Sequence, residues 1–81
     1  MSTEPPGDSD PVLYRLDPEI IQRRLGVLMR TYVHTRSVTV ARVVVRHLEG
    51  LCAHPHFQAD SEERCAYRRL AREWRLLAGM A

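Results

Sequence analysis

The chain has 81 residues, of which 44% are hydrophobic and 27% are charged, and its net charge at pH 7 is +2. This length allows one domain with a small core, and the composition excludes a chain that is largely disordered. Its longest apolar runs are three residues, too short to cross a membrane, and the polar first ten residues lack the pattern of a secretory signal.

The cysteines and arginines indicate the cellular compartment and the kind of partner. Two cysteines in a chain without an export signal favour a reducing compartment, so we expect a cytoplasmic protein whose thiols are free or metal-bound. All 12 basic residues are arginine, whose planar guanidinium suits carboxylate and phosphate partners. The net charge is nevertheless well below that of a dedicated nucleic-acid coat protein.

The N-terminal residues differ in composition from the rest of the chain. Residues 1–11 are rich in proline, glycine, serine and acids, which predicts a disordered acidic tail. Residues 12–81 are expected to form a single helical domain. Its first segment, residues 12–16, is a short apolar lead-in that lies across the helices as a lid or pairs with another molecule.

The first predicted helix spans residues 18–35. Asp17 is its expected N-cap and Pro18 its first helical residue. Gly26 inside the helix suggests a close crossing with a neighbouring helix, because glycine is otherwise costly there. Apolar residues at helical spacing form one stripe along this segment: Ile21, Leu25, Leu28 and Tyr32.

The second predicted helix spans residues 38–52, with Ser37 as its N-cap. Its β-branched residues would also suit a strand, but the apolar positions recur at helical spacing, and a period of two fails at Arg42. The apolar arc is wide, which predicts the central helix of the fold. On its polar side, Glu49 is placed to pair with Arg46 or Arg42.

The third predicted helix spans residues 61–78. Asp60 and Glu63 form a capping-box pattern at its start, and Gly79 is the expected C-cap. Its core stripe consists of Tyr67, Leu70, Ala71, Trp74, Leu77 and Ala78. The sequence therefore predicts an all-α fold, a small three-helix bundle.

A metal site is one interpretation of the connection between the second and third helices. Cys52, His54, His56 and Cys65 are the residue types that bind zinc, although their spacing is not that of a familiar zinc finger. The alternative is a turn in which both histidines face solvent or bond the last carbonyls of the second helix. Cys52 falls within the apolar arc and is then a core residue.

Cys65 lies nearly opposite the core stripe of the third helix. Two interpretations remain open for it. It is either an accessible thiol near the helix start, or it is covered by the lead-in or by the connection that precedes the helix.

An arginine ridge runs along the third helix and consists of Arg64, Arg68, Arg72 and Arg75, with Arg69 adjacent. Such a ridge would follow a phosphate backbone, which predicts nucleic-acid binding. Alternatively, it is a solvated helix face paired in part with the acids Glu62, Glu63 and Glu73. A helix-turn-helix motif fits poorly, because the connection of roughly seven residues is too long for it.

Catalysis is not expected. The sequence has no nucleophile-and-base signature and no cofactor fingerprint, and His47, at the margin of an apolar arc, is typical of a histidine whose ring is bonded at a helix interface. No cofactor is expected unless zinc binds the cysteine and histidine set.

The leading functional hypothesis is a non-enzymatic protein–protein interaction or regulatory adapter module that self-associates as a homo-oligomer. Leu13, Val27, Val33 and Leu76 are apolar residues left over once the three stripes are assigned, and such surface is typical of an interface. The partner-binding residues are expected to be Tyr67, Trp74, Arg64, Arg68, Arg72 and Arg75. The alternatives are nucleic-acid binding through the arginine ridge and a zinc-stabilised helical hairpin.

Overall fold

The computed structural model describes residues 13 and 15–80, and from Pro18 onward the described residues form three α-helices. They are α1 (Pro18–Thr35), α2 (Val38–Ala53) and α3 (Ser61–Leu77). The predicted all-α bundle is confirmed, with the ends of α2 and α3 each shifted by one residue. The predicted disordered tail falls outside the described residues. None of the described helices has the length and apolar content required to cross a membrane.

Side-chain caps fix two of the three helix starts. The Ser37 hydroxyl accepts a hydrogen bond from the Val40 N–H, and the Asp60 carboxylate accepts one from the Glu63 N–H at 2.8 Å. Asp17 occupies the N-cap position of α1, but its side chain makes no capping bond. The proline that follows it has no N–H to cap and is preorganised for a helix start.

Left-handed backbone ends α1 and α3, whereas α2 ends at His54 with extended backbone. Gly79 has φ +69°, and its N–H donates to the Leu76 carbonyl while the Met80 N–H donates to that of Arg75. This is a Schellman motif, with glycine at the position that sequence reasoning predicted. Arg36 closes α1 with φ 54°, although it has a side chain.

The core is built around α2, which packs against both α1 and α3, as its wide apolar arc predicts. Val44, Leu48 and Leu51 of this helix are fully buried. They join a main cluster with residues from both neighbours, and a second cluster forms near the α1–α2 turn from Tyr32, Ala41, Val45 and Ala78.

The lead-in packs on the bundle, which corrects the assignment of Leu13 as a leftover apolar residue. Leu13 is only 2% exposed and belongs to the main core cluster. Its side chain lies against Gly50 of α2, where an added Cβ would be 2.8 Å from Leu13 Cδ1. Gly50, rather than Gly26, therefore provides the close approach in this fold.

Gly26→Ala is expected to stabilise the protein by about 0.5–1 kcal/mol, because alanine is the better helix former and the site has room. A Cβ at Gly26 would meet only the Arg30 side chain, at 3.8 Å, so the predicted close helix crossing there is wrong. Urea unfolding measures the change. Gly50→Ala is the matched control and should gain less, because its methyl group must displace Leu13; an equal gain at both sites would contradict the packing.

Candidate interaction surfaces

Arg64, predicted to contact a partner, is used inside the chain. Its Nε donates to the Ala59 carbonyl at 3.1 Å and its Nη2 to the Phe57 carbonyl at 2.7 Å. The guanidinium also lies 5.7 Å from the centre of the Phe57 ring. Because a charged donor satisfies two loop carbonyls, Arg64 clamps the connection between α2 and α3. This engagement leaves it poorly placed to anchor a partner.

Arg75 is also engaged. Its Nη1 donates to Glu49 Oε2 at 2.6 Å, so the predicted pairing of Glu49 with Arg46 or Arg42 is wrong. The two side chains are 38% and 37% exposed. Solvent screening at that exposure limits such a pair to roughly 0–1 kcal/mol, so it aligns α2 with α3 more than it stabilises them.

Two arginines of the predicted ridge remain exposed. Among the described residues, neither Arg68 nor Arg72 has a hydrogen-bond or ion-pair partner. Both line an open groove between α2 and α3, here the α2–α3 groove, whose lining consists of Glu49, Cys52, Ala53, Arg68, Ala71, Arg72 and Arg75. The ridge available to a partner is therefore shorter than the sequence pattern suggests.

Tyr67 and Trp74, the predicted aromatic anchors, connect helices within the bundle. Trp74 meets the Tyr32 ring edge-on at a centroid distance of 5.1 Å, and Tyr67 meets Phe57 similarly at 5.5 Å. Gln22 Nε2 donates to the Tyr67 hydroxyl at 3.0 Å. Both aromatic side chains are half-buried. Their main contacts are thus those that join α3 to α1 and to the connection before it.

His54 is the buried polar centre of the connection. Its Nε2 lies 2.8 Å from the Leu16 carbonyl, and its Nδ1 lies 3.0 Å from the His56 N–H. A carbonyl only accepts and an N–H only donates, so these bonds require hydrogen on Nε2 and a lone pair on Nδ1. The His54 ring neither faces solvent nor bonds the carbonyls of α2, to which the residue contributes its backbone N–H, 3.1 Å from the Leu51 carbonyl; the ring ties the lead-in to the connection.

The four candidate zinc ligands are not brought together. In the described part of the chain, no group of three or more His, Cys, Asp or Glu side chains is placed to hold a metal ion. Both ring nitrogens of His54 are engaged with the backbone, and His56 and Cys65 are exposed. Cys52 is half-buried in the α2–α3 groove rather than within the core, and both cysteines are free.

The exposed Cys65 is expected to react with a thiol reagent about tenfold faster than Cys52 near pH 8, because the thiolate is the attacking species. Burial raises the pKa of the Cys52 thiol, although Arg68 and Arg64 act in the opposite direction. Cys52→Ala and Cys65→Ala each leave one thiol, whose rate of reaction with Ellman's reagent can be measured. Protein unfolded in guanidinium gives the reference rates. Equal rates for the two thiols in the folded state would contradict the exposed position of Cys65 and the half-buried position of Cys52.

A second groove lies between α1 and α2 and has a volume of about 410 Å³. We call it the α1–α2 groove; it is lined by Arg23, Arg24, Val27, Leu28, Val43 and His47. His47 Nδ1 donates to the Val43 carbonyl at 2.9 Å, so its ring is bonded at a helix interface, as predicted. Sequence reasoning missed the groove, although the leftover Val27 beside two arginines was a signal of it.

The apolar surface is confirmed in part. Val27, Val33 and Leu76 are exposed, as the stripe assignment predicts, while Leu13 is not. Three further large apolar side chains are exposed, namely Ile20, Val38 and Leu77, so the assignment of Leu77 to the core stripe of the third helix is wrong. Exposed apolar side chains thus flank several sides of the bundle.

Comparison of the chain with protein-family models, curated proteins and solved structures gives no match. Its function must therefore be inferred from the contacts of its own side chains.

Proposed function

We propose that this protein is a small, non-enzymatic protein-interaction module that self-associates. The observation that supports this most directly is the exposure of Val33 (61%) and Leu77 (46%) beside the contact between Tyr32 and Trp74. A bundle of this size buries a limited core, so covering such side chains in an oligomer adds stability that the monomer lacks.

The association surface is the side of the bundle where α1 faces α3, here the α1–α3 face. Met29 and Val33 are one helical turn apart on α1, and Leu70 and Leu77 are two turns apart on α3. Met29 and Leu70 are half-buried against the core. These two apolar rows flank the contact between Tyr32 and Trp74. Together they form a surface that a second copy covers in a two-fold symmetric dimer.

Binding rather than catalysis is supported by the state of His54. Its Nε2 donates to a backbone carbonyl and its Nδ1 accepts from a backbone N–H. A general base needs a ring nitrogen that can take a proton from a nucleophile or a substrate, and both nitrogens of this ring are already bonded. His54 therefore has a structural use, whereas the bond of His47 to the Val43 carbonyl engages its Nδ1 alone.

The test is sedimentation equilibrium at low micromolar concentration. The wild type is expected to form a dimer or higher oligomer, and Val33→Glu with Leu77→Glu should weaken it at least about tenfold, because a buried unpaired carboxylate is costly. Leu76→Glu is the matched control: this leucine is 70% exposed but lies roughly 100° around α3 from Leu77. A wild type that stays monomeric would rule out self-association.

Nucleic-acid binding through the arginine ridge stays a prediction. The absence of partners for Arg68 and Arg72 among the described residues supports it, while the engagement of Arg64 and Arg75 weakens it. Steep loss of DNA or RNA binding with added salt, abolished by Arg68→Glu with Arg72→Glu, would support this alternative; no binding at low salt would remove it.

A further inference from the structure

The α1–α2 groove lies on the opposite side of the helical hairpin from α3. Val43 precedes Cys52, which lines the α2–α3 groove, by nine residues, or roughly 180° around α2. Val27 follows Gln22, which bonds Tyr67 of α3, by five residues, or roughly 140° around α1. The α1–α2 pair thus has α3 on one side and an open groove on the other.

The α1–α2 groove lies along a flank of α2 on which another part of the same chain, Leu13, already packs. Val43, His47 and Gly50 follow one another at helical spacings of four and three residues, so they lie along one flank of α2. Leu13 covers the Gly50 end of that flank, while Val43 and His47 line the open part. An aliphatic side chain already occupies one end, which shows the kind of group that this flank accepts.

The open part is apolar at its base and basic at its rim. Val27, 55% exposed, and Leu28 come from α1 and Val43 from α2, and Ile20 extends the apolar edge two turns before Val27. Arg23 and Arg24 are exposed at the rim, and none of the described residues that line the groove is acidic. Aliphatic contacts flanked by carboxylates would complement this surface.

A second copy of the chain is a poor occupant. A two-fold interface places the same residues on both sides. Such an interface would gather Arg23 and Arg24 of both copies with no acidic residue in the described groove lining to pair with them, and like charges brought together at an interface are unfavourable. Self-association is accordingly assigned to the α1–α3 face and not to this groove.

The geometry points to docking of an acidic amphipathic helix from a partner protein in the α1–α2 groove. Its aliphatic side chains, one turn apart, rest on Val27, Leu28 and Val43, and its flanking carboxylates pair with Arg23 and Arg24. The docked helix packs against the α1–α2 pair on the side opposite α3, as a fourth helix of the bundle. This inference rests on the proposed function only in that the module acts through protein contacts.

The test uses the full chain and a fluorescein-labelled helical peptide of about 16 residues made of Leu, Ala and Glu, with leucines at i, i+3, i+4 and i+7 and glutamates on both flanks. Fluorescence anisotropy should show saturable binding, weakened at least about tenfold by Arg23→Glu with Arg24→Glu. Arg68→Glu with Arg72→Glu is the control with the same charge change in the other groove, and it should alter the affinity less than about twofold.

Amide chemical-shift mapping locates the bound peptide. Shifts confined to the turns around Val27 and Val43 support the proposal, and shifts around Arg68 and Arg72 overturn it. Three results of the binding experiment also overturn the proposal. The two arginine double variants weaken binding equally, a peptide with lysine in place of glutamate binds equally well, or the peptide does not bind at about millimolar concentration. Sedimentation tests the α1–α3 face separately. If the wild type stays monomeric but still binds the peptide, self-association is refuted and docking in the α1–α2 groove stands.

Discussion

His54→Ala is expected to lower the free energy of unfolding by about 2–4 kcal/mol, because it removes a buried ring and leaves two partly buried backbone groups without their hydrogen-bond partner. These groups are the Leu16 carbonyl and the His56 N–H, and His54 is 4% exposed. Urea unfolding followed by circular dichroism measures the loss. The lead-in should also loosen, visible as new amide exchange at Leu16.

Two variants separate the hydrogen bonds of His54 from the bulk of its ring. His54→Gln supplies an amide that can donate to the Leu16 carbonyl, so it should recover part of the loss. His56→Ala is the matched control, because the His56 side chain is exposed, its ring lies 5.7 Å from that of His54, and the backbone N–H that bonds His54 Nδ1 is kept; it should cost less than about 0.5 kcal/mol. Equal losses for His54→Ala and His56→Ala would contradict the role of His54.

Arg64→Met is expected to lower the free energy of unfolding by about 1.5–3 kcal/mol, through loss of a charged donor to two carbonyls of the α2–α3 connection. Methionine keeps an apolar stem against Phe57, so the change tests the guanidinium bonds rather than the packing. Urea unfolding, followed by the fluorescence of Trp74, measures the loss.

Arg68→Met, one turn along α3 from Arg64, is the control for that measurement. Arg68 is exposed and has no partner among the described residues, so its replacement should change stability by less than about 0.5 kcal/mol. If Arg64→Met and Arg68→Met behaved alike, the clamp would have no energetic role and Arg64 would again be available to a partner.

Helix boundaries could be predicted from the sequence because their causes are local. Ser37 and Asp60 cap helices through bonds to N–H groups three residues away, and Gly79 ends α3 through its own left-handed backbone. The central place of α2 was also predictable, since a wide apolar arc needs neighbours on two sides. These signals require no knowledge of distant contacts.

The roles of individual polar side chains could not be predicted in the same way. The spacing of Arg64 and Arg68 on α3 is the same whether a guanidinium meets water or a loop carbonyl, and only the path of the connection decides. His54 bonds a carbonyl 38 residues earlier in the chain, which no local pattern indicates. The need for glycine at position 50 likewise follows from a distant contact, that with the Leu13 side chain.

The unequal connections between the helices imply an order of folding. Arg36 and Ser37 alone join α1 to α2, with the Arg36 N–H bonded back to Tyr32, so this hairpin closes with a short loop and local contacts. The α2–α3 connection is longer, and the side chain that clamps its Ala59 and Phe57 carbonyls is Arg64 of α3, which reaches them only when that helix has formed. We infer that the α1–α2 hairpin forms before α3 docks; a higher φ-value for Ala71→Gly than for Ala41→Gly would refute it.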